Sequence, residues 1–329
     1  MTSLAPLLQA FFTDRLQKQK QVSPETIASY RDTFRLLLGF AHKRLGKEPS
    51  DLLLTDVDAP FVGAFLDHLE TERKNSARTR NLRLVAIRSF FKYVAMREPA
   101  HSGFIQRVLA IPQKRFDRNL VTFLAPTESK AFIAAPDRTT WIGRRDHALL
   151  VVAIETGLRV SELVNLKCED VVLQTGPHVR CLGKGRKERC TPLKSQTVGV
   201  LRIWLKERNG SPSDPLFSSR RGGTLSRDAV ERLVTKYAAV ACQTCPSLKG
   251  KRVSPHVLRH TTAVDLLRAG VDHTVIALWL GHESPETTRM YLDADLSIKE
   301  QALSRTAPPG TKPGRFQPGD ALLAFLNSL

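Results

Sequence analysis

The chain has 329 residues, of which 42% are hydrophobic, and its 50 Lys and Arg against 32 Asp and Glu give a formal net charge of +18. The length predicts two domains, and the apolar content excludes a mainly disordered chain. The charge favours an acidic partner, with nucleic acid first and a membrane surface second. No apolar run of about 18 residues is present, which excludes a membrane-spanning helix. The first residues lack a secretory signal and five cysteines are too few for a disulfide scaffold, so we expect a cytoplasmic protein.

The first part of the chain predicts helices and no strand. Ser23-Pro24-Glu25 is a helix start, because Ser caps, Pro fits the first turn and Glu favours the positive end of the helix dipole. Apolar side chains then recur at helical spacing over 27–38, and further helices are predicted over 60–72 and 76–96. Residues 1–118 are therefore predicted to form a helical domain that ends in an extended linker over 99–119, where Pro, Gly and basic residues gather.

The third of these helices is strongly basic. No acidic residue lies between Arg73 and Lys92. This spacing predicts either a solvated basic face or, as we prefer, a stripe that contacts DNA phosphates. The stripe comprises Arg73, Lys74, Arg78, Arg80, Arg83, Arg88 and Lys92. Residues 1–118 carry a net charge of +8 and the rest of the chain +10, so both domains are suited to a phosphate backbone.

The rest of the chain predicts a mainly α, α+β domain over 119–305. Helices are expected over 127–134, 144–155, 226–241, 254–269, 275–280 and 285–292. One hairpin over 179–193, turning at Gly183-Lys184-Gly185, supplies a small antiparallel sheet. Residues 306–329 read as a Pro-rich tether and a short C-terminal helix.

Chemically capable side chains occur in this second domain where elements begin or end. Arg159 lies in a turn between two helices, with Gly157 as the predicted C-cap of one and Ser161 as the N-cap of the next. Further such residues are Lys184 at the hairpin tip, His256 and Arg259 three apart on one helix, His282 after a helix end, and Tyr291. Arg186, Lys187 and Arg189 flank Lys184 and are expected to contact DNA.

Together these residues suit phosphodiester chemistry. Guanidinium groups bind phosphate oxygens bidentately and stabilise the charge that develops in the transition state. A tyrosine hydroxyl attacks phosphorus if its proton is removed, and lysine or histidine protonates the leaving oxygen.

The residues in their order resemble the tyrosine recombinase (phage integrase-like) family, including Xer-type and transposon-encoded members. The matching strings are TGLRVSEL at 156–163, GKGRKER at 183–189, HVLRH at 256–260, and LGH at 280–282 followed by Tyr291. The basic N-terminal helices resemble the core-binding domain of the family. The resemblance implies a site-specific DNA recombinase that needs neither a metal nor another cofactor.

The resemblance also implies a role for each residue. Tyr291 attacks the scissile phosphate and leaves a 3′-phosphotyrosyl bond and a free 5′-hydroxyl. Arg159 and Arg259 bind the non-bridging oxygens, and Lys184 protonates the 5′-oxygen. The remaining roles fall to His256 as the proton acceptor for Tyr291, His282 as a hydrogen-bond donor to the phosphate, and Glu162 as the support of Arg159.

The resemblance further implies double-stranded DNA as the partner and a homo-oligomer, a tetrameric synapse, on that DNA. Related recombinases are further candidate partners. Residues 321–326 are expected to dock on a neighbouring protomer or, equally, to pack against their own protomer. The unmatched Pro-rich ending favours a mobile-element recombinase over a chromosome resolvase.

Several alternatives stay open. Cys242-x2-Cys245 and His256-x3-His260, separated by ten residues, approach a zinc finger, although its central spacer is about twelve residues. A type IB topoisomerase uses similar chemistry, and a non-cleaving DNA-binding protein is the alternative from another class. A phosphate-binding loop and a metalloprotease are excluded, because Gly185 and Val257 stand where those motifs need Ser or Thr and Glu.

Overall fold

The computed structural model describes residues 2–117, 121–183 and 188–282, together with Thr288 and Tyr291. Helices dominate these residues, and a three-stranded antiparallel sheet accompanies them, so the predicted mainly α class is confirmed. The chain divides into two compact units, residues 1–118 and 119–329, each with its own hydrophobic core. The predicted tether and short helix of 306–329 lie outside the described residues.

Five α-helices build the first unit: α1 (Leu4–Ala10), α2 (Pro24–Leu45), α3 (Ala59–Thr71), α4 (Ala77–Ala95) and α5 (Ser102–Leu109). A wider π-helical segment, Phe11–Gln19, continues α1. Its Phe11 is completely buried and lies edge-on to Phe34 and Phe90 at ring distances of 6.3 and 5.5 Å. This aromatic cluster joins the N-terminal helix to α2 and α4.

Capping side chains fix where the predicted helices begin. Ser23, Asp58 and Ser76 each accept a hydrogen bond from a backbone N–H in the first turn of α2, α3 and α4. Each bond satisfies one of the N–H groups that a helix start leaves without a partner. The sequence signal and the structure therefore agree within a residue or two at these starts.

The prediction of an extended linker over 99–119 is wrong for most of its length. Residues 102–109 form α5, and Ile105 and Val108 are completely buried in the first core. The following residues are held against α4, since Asn81 binds the backbone of Lys114 through both its Oδ1 and its Nδ2. The sequence signal for α5 is the apolar pair Ile105 and Val108, three residues apart. The Pro and Gly residues around this pair indicated a linker instead.

Seven α-helices and the sheet make up the described part of the second unit, and the predicted helix over 285–292 lies largely outside the described residues. The helices are α6 (Pro126–Ala134), α7 (Trp141–Thr156), α8 (Val160–Val164), α9 (Ser195–Arg208), α10 (Arg227–Thr244), α11 (Pro255–Arg268) and α12 (His273–Leu280). The strands β1 (Val171–Val172), β2 (His178–Leu182) and β3 (Glu188–Pro192) pair in the order β1-β2-β3, with Cys181 opposite Arg189. The antiparallel pairing of β2 and β3 confirms the predicted hairpin, whereas its predicted turn at Gly183-Lys184-Gly185 lies largely outside the described residues. The helix α9 was not anticipated.

No helix among the described residues is long and apolar enough to cross a membrane.

We expect Ile105→Ala to destabilise the protein by about 2–5 kcal/mol, because it removes a completely buried side chain from the first core. The control is Phe116→Ala, since Phe116 is 42% exposed, and its cost should stay below about 0.5 kcal/mol. Denaturant unfolding of the full chain measures both. Equal costs for the two variants would contradict the inclusion of α5 in the first core.

Candidate active site

The turn between α7 and α8 places the first arginine. Gly157 ends α7 in the left-handed conformation, with φ +63°, as its predicted C-cap role requires. The N-cap of α8 is Arg159 itself and not Ser161, because the Glu162 carboxylate accepts the hydrogen bond of the Arg159 backbone N–H at 2.8 Å. The carboxylate of Glu162 thus takes the capping role that was predicted for the hydroxyl of Ser161.

Carbonyl groups at two helix ends hold the two arginines. Arg159 donates from Nη1 to Glu162 at 2.8 Å and from Nη2 to the Gly281 carbonyl at 2.7 Å. Arg259, on α11, donates to the carbonyls of Gly157 at 2.7 Å and Leu280 at 2.6 Å. These carbonyls belong to the C-terminal ends of α7 and α12, where the helix dipole is negative and favours cations.

Glycine is required at both helix ends. A Cβ on Gly157 would lie 2.6 Å from the side chain of Leu280, and one on Gly281 would lie 2.9 Å from Nη1 of Arg189. Both residues have positive φ, a conformation that other L-residues adopt at a cost. The close approach of the helix ends to the arginines therefore depends on these two positions.

Arg189 has a different place from the predicted one on the DNA surface. It lies on β3 and binds both carboxylate oxygens of Glu162, at 3.0 and 2.7 Å, while its Nε donates to the Trp279 carbonyl. Its side chain is only 12% exposed. Burial by itself raises the pKa of Glu162, but the hydrogen bonds from Arg189 and Arg159 outweigh it, so the pKa is lowered and Glu162 stays ionised.

Among the described residues, the site carries more positive than negative charge. Arg159 and Arg189 bind the carboxylate of Glu162, and Arg259 lies near them. Burial, with the repulsion from Arg159, lowers the pKa of Arg259 to about 10. At neutral pH the guanidinium groups of Arg189 and Arg259 therefore remain charged. A partly buried excess of positive charge is costly unless an anion completes it, so the cluster is suited to a phosphate.

Tyr291 lies beside this cluster. It is 2% exposed and packs with Val264, Ile276 and Leu280. Its hydroxyl is 3.1 Å from Nδ1 of His260. Burial raises the pKa of Tyr291, although Arg259 and Arg159 oppose the rise.

The histidine that binds Tyr291 is therefore His260 and not the predicted His256. Burial, with the charges of His256 and Arg259, lowers the pKa of His260 to about 4, so its ring is neutral. In the tautomer that carries the proton on Nε2, Nδ1 accepts a hydrogen bond from the phenol. The ring of His256 is exposed and lies 6.3 Å from that of His260. The sequence signal was present in HVLRH, whose last residue was left without a role.

His282 also lies against Tyr291. Its ring is 6.2 Å from that of Tyr291 and nearly parallel to it, and its Nδ1 is 2.9 Å from the Thr288 hydroxyl. Burial and the charges of Arg259, Arg159 and Arg189 lower the pKa of His282 to about 4. The structure thus brings together Arg159, Arg259, His282 and Tyr291 with Glu162. Lys184, Arg186 and Lys187 lie outside the described residues.

The basic stripe of α4 divides into two groups. Arg73, Lys74, Arg78 and Lys92 are exposed. The other three bind within the first unit, where Arg80 pairs with Glu70, Arg83 binds Thr33 and Arg88 binds the Ile111 carbonyl. These three stabilise the packing of α4, so the predicted phosphate contacts are retained only for the exposed four.

The zinc-finger alternative receives no support from the described residues. Cys242, Cys245, His256 and His260 do not gather, and no group of three His, Cys, Asp or Glu side chains in the described ranges could hold a metal ion. All five cysteines are free thiols.

Comparisons with known proteins agree along nearly the whole chain. Residues 122–297 match the phage integrase family, and residues 10–98 match the phage integrase N-terminal SAM-like domain. The chain is 58% identical over 327 residues to the integrase/recombinase y4rC of Sinorhizobium fredii, covering 99% of this chain and 98% of that one.

One further relative is a Xer protein, and one solved Xer structure is similar in fold. Tyrosine recombinase XerC of Pelobacter propionicus is 31% identical over 313 residues, covering 94% of this chain and 99% of the relative. The crystal structure of XerH site-specific recombinase bound to palindromic difH substrate, a post-cleavage complex, is similar in fold with a TM-score of 0.69. The two sequences are 24% identical, and the match covers 85% of this chain and 79% of the XerH chain.

The two neutral histidines make stability depend on pH. Their pKa is about 4 when folded and about 6.5 when unfolded, so between these values the unfolded chain binds more protons. We expect their contribution to be complete above pH 6.5 and to be lost as the pH falls toward 4. Replacing both His260 and His282 with Gln should flatten the fall in melting temperature between pH 6.5 and 4, each protein being referred to its own value at pH 8. An unchanged slope would contradict the buried, neutral state of these rings.

Proposed function

This chain belongs to the phage integrase family of tyrosine recombinases, and we propose that it cuts and rejoins duplex DNA at specific sites through Tyr291. The observation that carries the proposal is the placement of Tyr291 beside the paired guanidinium groups of Arg159 and Arg259. A nucleophile and a phosphate seat in one site are what phosphoryl transfer to the protein requires.

The chemistry follows from the positions of these groups. The phenolic oxygen of Tyr291 attacks the phosphorus, and the bond from phosphorus to the 5′-oxygen breaks. The phosphate then joins the tyrosine oxygen to the 3′-oxygen of the cut strand, and the other end is a free 5′-hydroxyl. Arg159 and Arg259 neutralise the additional negative charge of the five-coordinate transition state. Attack by the 5′-hydroxyl of another strand reverses the step and exchanges strands without hydrolysis, so neither a metal nor an energy-rich cofactor takes part.

Two proton transfers accompany the reaction. We assign the proton of Tyr291 to His260, because Nδ1 of His260 is the acceptor 3.1 Å from the phenol. Burial, with the charges of His256 and Arg259, keeps this imidazole from taking a proton, and a bound phosphodiester offsets that positive charge. Lys184 protonates the departing 5′-oxygen, and His282 binds the phosphate once its hydrogen bond to Thr288 is exchanged for one to DNA.

The DNA partner is supported by charge in both units. The exposed residues Arg73, Lys74, Arg78 and Lys92 of the first unit contact phosphates, as do Arg186 and Lys187 beside Lys184. We propose that the protein assembles as a homo-oligomer on DNA, a tetrameric synapse, in the cytoplasm. Residues 321–326 dock on a neighbouring protomer in that assembly, and a related recombinase is a further partner.

The biological role that we favour is recombination for a mobile element. The relative named an integrase/recombinase shares 58% identity, against 31% for the Xer relative, which supports this role over chromosome resolution. A non-cleaving DNA-binding protein would need neither Tyr291 nor its arginines. A type IB topoisomerase is separated experimentally, because it relaxes a supercoiled plasmid and does not exchange strands between linear duplexes.

The wild-type protein should form a covalent protein–DNA adduct, in the presence of a chelator, on nicked duplexes tiled across the DNA that flanks its gene. Tyr291→Phe should form none, because it lacks the attacking oxygen. Denaturing gel electrophoresis with labelled DNA measures the adduct.

The matched control is Tyr30→Phe, which removes a phenolic oxygen from the first unit and should retain the adduct. An adduct that persists in Tyr291→Phe would contradict the assignment of the nucleophile.

A further inference from the structure

Arg189 connects three separate segments of the second unit. It belongs to β3, it binds both oxygens of Glu162 on α8, and its Nε donates to the Trp279 carbonyl near the end of α12 at 3.1 Å. The Gly281 backbone lies close enough that a Cβ there would come within 2.9 Å of the Arg189 guanidinium. Three of its five N–H donors are therefore engaged within the protein.

Glu162 divides its two oxygens between two arginines. Oε1 accepts from Nη1 of both Arg159 and Arg189, and Oε2 accepts from the Arg159 backbone and from Nη2 of Arg189. The carboxylate is 4% exposed, whereas the Arg159 side chain is 27% exposed. The buried arginine thus fixes the carboxylate, and the carboxylate fixes the more accessible arginine.

Without Arg189 the orientation of the Glu162 carboxylate, and with it that of Arg159, would not be fixed. A buried carboxylate needs compensation for lost hydration, and the hydrogen bonds of Arg189 hold the pKa of Glu162 down against burial. With only Arg159 as its ionic partner, Glu162 would draw the guanidinium into a direct bidentate pair. That pairing would turn the N–H donors of Arg159 away from a phosphate.

We propose that Arg189 is a positioning residue that acts through Glu162 to present Arg159 to the scissile phosphate. This inference rests on the proposed function and adds to it a residue that does not touch DNA. It replaces the expectation that Arg189 contacts the DNA backbone.

A different role is suggested by position along the chain. Arg189 follows Lys184 by five residues. If Arg189 served to anchor the hairpin that carries Lys184, its loss would impair protonation of the leaving 5′-oxygen. The two roles differ in chemistry. A 5′-bridging sulfur in place of the 5′-oxygen leaves as a thiolate and needs no proton, so it relieves a defect in the acid and not a defect in phosphate binding.

The experiment measures single-turnover adduct formation on matched DNA with a 5′-bridging oxygen or sulfur. We expect Arg189→Gln to lose about 100-fold on the oxygen substrate, as misplacement of a reacting group does, and to lose the same factor on the sulfur substrate. Lys184→Ala should regain adduct formation on the substrate with the 5′-bridging sulfur, because that leaving group needs no proton. Arg189→Lys keeps a single donor to Glu162 and should lose on the order of 10-fold on both substrates.

Arg180→Gln is the matched control, because Arg180 lies on the same hairpin, on the opposite face from Cys181 and its partner Arg189. It should react at the wild-type rate. If Arg189→Gln does not fold, as circular dichroism would show, Arg189→Lys decides alone. A wild-type rate for the Arg189 variants, or their recovery on sulfur, would overturn the inference. Failure of the wild type to form any adduct would instead overturn the proposed function.

Discussion

The structure of the site depends on the capture of two arginine side chains by the C-terminal ends of two helices. α7 and α12 end at Gly157 and Gly281, and their last carbonyls accept the hydrogen bonds of Arg259 and Arg159. Helix C-termini carry partial negative charge, so the same groups that need donors also stabilise cations. The arginines are thereby fixed before any phosphate arrives, and no reorganisation of their positions is needed during reaction.

The excess positive charge links this scaffold to the remaining groups of the site. One carboxylate, Glu162, serves two arginines, and burial together with the positive charge nearby lowers the pKa of His260 and His282 and keeps both rings neutral. Tyr291 is buried among apolar side chains and remains a phenol until a base takes its proton. An incoming phosphodiester supplies the missing negative charge. Substrate binding and the activation of the nucleophile are thus coupled through electrostatics in a partly dry site.

The helices whose starts carry a capping side chain or an apolar period can be predicted from the sequence, and motifs locate Arg159, Arg259 and Tyr291. The helices α5 and α9 were not predicted, since a short or interrupted apolar pattern resembles a loop. Surface and buried arginines have the same signature in the sequence. Arg189 and the exposed Arg78 have the same side chain, and only the tertiary position of Glu162 makes one a structural partner. The contact between His260 and Tyr291 was missed for the same reason, because a helix carries both His256 and His260, and only the folded structure shows which ring meets the phenol.

The central claim is that Arg159 and Arg259 recognise the charge of the scissile phosphate. The most direct measurement compares Arg159→Ala with wild type on ordinary DNA and on DNA whose scissile phosphate is a neutral methylphosphonate. Glu162 keeps its pair with Arg189 in this variant, so the fold is retained. We predict a loss of about 10²–10³-fold in adduct formation on ordinary DNA and recovery of most of that loss on the neutral substrate. An equal loss on both substrates would contradict the account.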